Sequence, residues 1–246
     1  SSDLMRMNTG RVARLAAMPI CDDARRMEAR MAATSPSEVT DPRFEAIVDR
    51  ILAYASGDVA IAAPLGLGKP NHLLNAIYRR FKADPSRRLT IYTALSLDVP
   101  AAGSDLERRF LGPFLARQFG ENYPRLDYVI DLKADRVPDN VRIQEFYFLS
   151  GAMLHAAKAQ RDYASINYTQ VARDLADSAG LHAIVQLVAR RGARYSLSCN
   201  PDVTLDVLDA IAAAGGAKPL LVGVVHPDLP FLGGDAEVGA DRFDTI

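Results

Sequence analysis

The sequence predicts an α/β fold: an open, mostly parallel sheet with helices on both faces. Three observations point there. Short apolar runs such as "VAIAAP" (59–64) and "KPLLVGVV" (218–225) show little polar alternation, as expected of strands buried on both faces. Segments of helical periodicity separate these runs. Glycine, proline and capping residues punctuate the joints between them. Strands that alternate with helices argue for parallel pairing with crossover helices.

In chain order, residues 1–40 mix Met, Ala, Arg and Ser with weak helical periodicity around "CDDARRMEARMAA" and are expected to form a helical extension. A domain is expected over 41–246. Thr40 or Asp41 can cap the first clear helix and Pro42 suits its first position, where a missing N–H costs nothing. Phe44, Ile47, Val48, Ile51 and Leu52 form its apolar face, and Gly57 is expected to end it. The strand at 59–64 leads through "LGLGK" into a helix with Leu73, Leu74, Ile77, Tyr78 and Phe81 on one side. "LTIYTAL" (89–95) reads as a strand, and "SDLERRFLGPFLARQFG" as a helix broken or kinked near Gly112 and Pro113. "VRIQEFYFL" (141–149) reads as a strand and "GAMLHAAKAQ" as a helix. The strands "HAIVQLVAR" and "RYSLSCN", the helix "PDVTLDVLDAIAAAG" and the strand at 218–225 complete the pattern. "DLKADRVPDN" is the most loop-like interior segment.

Bulk properties narrow the function classes. With 29 basic and 30 acidic residues, no global field favours nucleic acid or an anionic membrane. Two cysteines in 246 residues suit a reducing compartment better than a disulfide scaffold. No apolar run reaches bilayer length, and the first residues carry too much charge for a secretory h-region. A cytoplasmic protein is expected.

The glycine-rich turn at 64–70 carries the clearest hint of a site. Helix N-termini gather backbone N–H groups and positive dipole charge. Nucleotide motifs nevertheless fail: a P-loop needs glycine at 63 and a hydroxyl residue at 70, where Ala63 and Pro70 stand. A dinucleotide fingerprint starting at Gly66 and Gly68 needs a third glycine at Asn71. The plain alternative is a tight βα turn. Lys69 and the strand-end position favour a site for an acyl oxygen, a carboxylate or a phosphate, since open α/β sheets place ligands beyond the C-terminal ends of their strands. Loops after Pro64, Thr93, Cys199 and Val225 share that location.

Other polar residues have ordinary explanations. His72, His155, His182 and His226 lack metal spacing, so no metal is expected. Cys199 reads as a buried small hydrophobe. Glu145 either alternates outward to solvent, the plainer expectation, or is buried with a shifted pKa. "QRDYASINYTQVARD" suits either polar-ligand recognition or a solvated helix start.

Several segments together resemble one family. "IAAPLGLGKPNHLLNAIYRRF", "IYTALSLDVP", "VRIQEFYFLSGAML", "INYTQVARDL", "YSLSCNPDVTLDVL" and "LLVGVVHPDLPFLGGDAEV" are similar, in order over about residues 42–246, to the N-terminal half of acetyl-CoA hydrolase/transferase proteins. These are relatives of the 4-hydroxybutyrate and succinyl-CoA:acetate CoA-transferases. The resemblance implies an α/β/α sandwich shared with ribose-5-phosphate isomerase-like proteins. It also implies acyl transfer through a glutamate that attacks an acyl-CoA thioester, with a small carboxylate or water as acceptor. Coenzyme A and acyl-CoA enter as substrates, with no bound cofactor.

In that family the nucleophilic glutamate lies in the C-terminal half, which no segment here resembles; Glu237 does not match its surroundings. No catalytic residue is therefore expected in this chain, which resembles half of an acetate-metabolising transferase or hydrolase, incomplete and inactive alone. The resemblance places Gly66, Leu67, Gly68, Lys69 and Thr93 on the wall of the acyl/carboxylate pocket. The sequence departs from the family's usual Gly-Phe turn and from its Gly-Ala after the strand-end threonine, where Ala94 and Leu95 stand; Lys69 suggests a carboxylated acyl group. A C-terminal domain or partner subunit is implied, with homo-oligomers expected and no nucleic-acid or membrane partner. Two other classes remain: a non-catalytic module binding a CoA ester or a partner, and a sugar-phosphate isomerase.

Overall fold

Asp41 caps the first helix, α1 (Pro42–Ala55), its carboxylate accepting the Arg43 N–H at 2.9 Å. The computed structural model describes residues 41–120, 122–178 and 180–246; the expected N-terminal extension lies outside them. Helix α1 buries Val48 and Ile51 and ends one residue earlier than Gly57 implied, with Ser56 in the left-handed region (φ 55°). The described residues fall into two compact units, 41–98 with 124–246, and 99–123.

The larger unit holds a seven-stranded sheet. Strands β1 (Val59–Ala62), β2 (Leu89–Thr93) and β3 (Val141–Glu145) run parallel, in register from Val59 to Leu89 to Val141. Strand β4 (Ala183–Arg191) pairs parallel with β1 through Ile61 and Ala62, and with β6 (Leu220–Val225) along its first six residues. Its last three residues fold back at Gly192 (φ 62°) onto β5 (Arg194–Ser196), which pairs with the short β7 (Glu237–Val238). The parallel order is therefore β3-β2-β1-β4-β6: the chain builds outward from β1 in one direction, then restarts at β4 and builds in the other. Strands β1 and β4 flank the topological switch.

Strand alternation sorts the core between two faces. Ile61, Ile91 and Ile143 pack with α1, with α2 (Asn71–Ala83) through Leu73, Ile77, Tyr78 and Phe81, and with α4 (Asp127–Lys133) through Tyr128 and Leu132. Ala62, Ile184 and Leu221 face α6 (Val171–Ser178) and α7 (Thr204–Ala213) through Val171, Leu175, Val207 and Ile211. Helices on both faces bear out the predicted fold class.

Some elements differ from expectation. Strand β3 stops at Glu145, because Tyr147 already turns its carbonyl to the Leu95 N–H (2.8 Å). The helix expected over 151–160 shrinks to α5 (Ala157–Arg161), after turns that put Gly151 at φ 76°. Helix α4 and strand β7 carried no clear sequence signal: one is a single apolar turn or two, the other two residues long. In the smaller unit, α3 (Asp105–Phe119) is capped by Ser104 Oγ, which accepts the Glu107 N–H at 3.2 Å. This helix continues through Pro113, where a proline leaves the carbonyl of residue 109 without its usual donor.

Among the described residues, no helix is long and apolar enough to cross a membrane.

Candidate functional site

Loops from four strands converge at the C-terminal edge of the sheet, around the switch between β1 and β4. The β1 loop forms a single 3₁₀ turn over Gly66–Gly68. Gly66 sits at φ 57°, where side chains are strained. Gly68 has a different need: a Cβ there would stand 2.8 Å from the Asn200 carbonyl oxygen and 2.8 Å from Pro64 Cγ. Glycine is thus what lets the β1 loop and the 197–203 loop touch.

Polar bonds fasten that contact. Asp202 accepts the Leu65 N–H at 2.7 Å through one carboxylate oxygen and the Tyr168 hydroxyl through the other. Gln186 on β4 donates to the Asn200 carbonyl at 3.0 Å and accepts from Thr204 Oγ1 at 2.5 Å. The Gly66 N–H donates to Leu95 (3.2 Å), and the Leu95 N–H to Tyr147 (2.8 Å), which adds the β2 and β3 loops. Leu95 (φ 42°), Ser198 (φ 60°) and Asp202 (φ 51°) hold left-handed backbone without being glycine. Strained residues of this kind persist where surrounding contacts over-determine them, commonly at functional sites.

Beneath the loops lie a buried lysine and a buried glutamate. Lys69 is 3% exposed; its Nζ donates to the Ala94 carbonyl and, at 3.4 Å, to that of Leu95. Burial pulls the Lys69 ammonium down to about 8, opposed by the charges of Glu145 and Asp202. Glu145, at the end of β3 opposite Thr93, is 0% exposed. One of its oxygens accepts the Ser96 N–H at 3.1 Å, and Oε1 has no hydrogen-bond partner. Burial raises the Glu145 carboxyl above the usual range, with Lys69 opposing. The outward orientation expected for Glu145 is corrected: it shares strand phase with Val141 and Ile143, both in the core.

The five residues the resemblance singled out are brought together at this edge in different settings. Gly66 and Gly68 are buried in the turn, Leu67 is 54% exposed, and Lys69 points inward to the β2 loop. Thr93 is buried and makes a long hydrogen bond to the Pro64 carbonyl (3.4 Å). Asp202 and Asn200 were missed, because "NPD" reads as a helix start; α7 begins only at Thr204. Tyr163 donates to the Phe146 carbonyl (2.8 Å), and Asn167 with Gln170 forms a reciprocal cap, so the polar 160–174 segment fastens the loops. Cys199 is exposed, not the buried hydrophobe expected, since β5 ends at Ser196 and the chain leaves the sheet.

Among the histidines, His72 stacks on Phe44, and His182 Nδ1 accepts the Ala60 N–H at 3.1 Å. Glu237 pairs with Arg194. No group of three or more potential metal ligands occurs among the described residues.

Between the sheet and helices α6 and α7, next to these loops, lies a cavity of about 40 Å³. That is several times the roughly 10–15 Å³ needed to hold one water. Its lining is chiefly apolar, with Thr93, Gln144, Asp202 and Thr204 among the polar groups.

The sequence matches no family model and no curated protein. The fold is similar to that of RipA from Yersinia pestis, with a TM-score of 0.50 and 14% identity, covering 82% of this chain and 43% of that one. A second similar structure is 4-hydroxybutyrate CoA-transferase from Porphyromonas gingivalis, with a TM-score of 0.43 and 13% identity over 80% of this chain and 37% of that one. The likeness to RipA is one of fold, an α/β sheet with helices on both faces. The chain spans less than half the length of either similar structure.

Proposed function

We propose that this chain is the N-terminal domain of a CoA-transferase or acyl-CoA hydrolase, forming part of an acyl/carboxylate pocket. The nucleophilic glutamate is then supplied by a C-terminal domain or partner subunit. The observation that carries this reading is the fastened, strained loop cluster at the β1/β4 switch, the place where open α/β sheets bind ligands. Gly66, Leu67, Gly68, Lys69 and Thr93 contribute its wall: Leu67 from the surface, Lys69 by holding the β1 and β2 loops together from beneath. The same edge exposes Leu67, Tyr147, Leu149 and Tyr168, apolar surface suited to cover by a partner.

A non-catalytic module that binds a CoA ester or a partner is favoured by one observation. Glu145 is sealed, Asp202 is tied to Leu65 and Tyr168, and Glu237 is paired with Arg194. None of these carboxylates stands free to attack a thioester.

The test is titration of the chain with CoA and acetyl-CoA, followed by amide NMR and intact mass. The reading expects shifts at residues 66–69 and 198–202 and no covalent adduct. A glutamyl-CoA adduct on this chain would overturn the assignment of the nucleophile to another domain.

A further inference from the structure

The cavity beside the fastened loops has a floor set by strand register. Tyr92 on β2, Ala62 on β1 and Ile184 on β4 are aligned neighbours on one sheet face, and all line it. Leu175 of α6 and Val207 of α7 close it from above. Ala62 is the reason for the space: β1 carries a methyl group where the adjacent strands carry an aromatic ring and a branched chain. Thr93, at the end of β2, and Asp202, in the fastened loop cluster, also line it, so the cavity abuts those loops.

We propose that this chamber receives the hydrocarbon end of a short, uncharged acyl group, and that Ala62 and Val207 set how long that group can be. The inference rests on the CoA-ester reading above and narrows its substrate class. Apolar walls favour a methyl or short alkyl end. A second carboxylate is disfavoured twice. Asp202 and the exposed Asp174 both line the chamber, and like charges repel. Lys69, the cation that suggested a carboxylated acyl group, is outside the lining and donates to the Ala94 and Leu95 carbonyls. The small volume favours short chains.

Methyl-labelled chain, observed by NMR during titration with CoA, acetyl-CoA, butyryl-CoA and succinyl-CoA, tests this. Acetyl-CoA is expected to shift the methyl signals of Ile184, Leu175 and Val207 beyond any effect of CoA itself, and succinyl-CoA is not. Ala62→Val fills the floor and is expected to abolish that difference. Val207→Ala enlarges the chamber and should favour butyryl-CoA by about tenfold, the scale on which one methylene is discriminated in an apolar pocket. Because that is a gain of binding, misfolding cannot imitate it. If CoA compounds shift the 66–69 and 198–202 amides but no acyl ester moves the chamber methyls, the inference fails and the CoA reading stands. If succinyl-CoA moves those methyls as acetyl-CoA does, the choice of an uncharged group fails. If no CoA compound shifts any signal, both fall.

Discussion

Glu145 shows how one strand position decides a local charge balance. Its carboxyl is raised by burial, so between the unfolded value near 4.5 and the higher folded value the folded state holds more protons. Stability must therefore fall as pH rises through that window. Lys69 acts in the opposite direction: with its ammonium lowered from 10.5 to about 8, the unfolded state holds more protons between those values, and stability rises with pH there. Glu145→Gln keeps the shape and removes the titration. The parent's urea midpoint is expected to decline above pH 4.5 and the variant's to lose that decline; a decline unchanged in the variant would place the titrating group elsewhere. Gly68→Ala probes packing instead, since its Cβ meets two atoms at 2.8 Å. A cost of about 1–3 kcal/mol is expected in denaturant unfolding, the scale of overpacking. Gly57→Ala, with its nearest contact at 4.0 Å, serves as the near-neutral control.

At the scale of elements, the β1 loop and the 197–203 loop behave as one unit because Asp202 bonds both Leu65 and Tyr168. Asp202→Ala removes both bonds and also puts a Cβ-bearing residue without a compensating side chain at φ 51°. Loss of about 1–3 kcal/mol is expected, with faster hydrogen exchange at the Leu65 amide. Asp202→Gly loses the same bonds but relaxes the backbone, so it should be less destabilised than the alanine variant; equal losses would mean that backbone strain plays no part. The phase of β3 could have revealed Glu145 in advance: Val141, Ile143 and Glu145 are alternate residues and share a face. Asp202 offered no comparable signal, because its acceptor role depends on a loop 137 residues earlier in the chain.

On the scale of the molecule, exposed Leu67, Tyr147, Leu149 and Tyr168 occupy loops at the C-terminal edge of the sheet or segments bonded to them. An edge that is covered by a partner in a larger assembly is expected to associate with itself when the partner is missing. Sedimentation velocity should show concentration-dependent association of the isolated chain. Tyr147→Ser combined with Leu149→Ser should shift it toward monomer, and unaltered association would locate the interface elsewhere.

The sequence by itself determined the α/β class, the positions of the five parallel strands and the apolar faces of α1 and α2. These depend on local periodicity, which survives without knowledge of partners. It also marked the glycine turn and Thr93 as residues of one edge. Only the tertiary structure decided that Lys69 turns inward, that Asp202 fastens two loops and that Ala62 leaves a cavity. Each of those outcomes is set by which distant segment packs against the residue, and a residue's own neighbours in the chain carry no record of that.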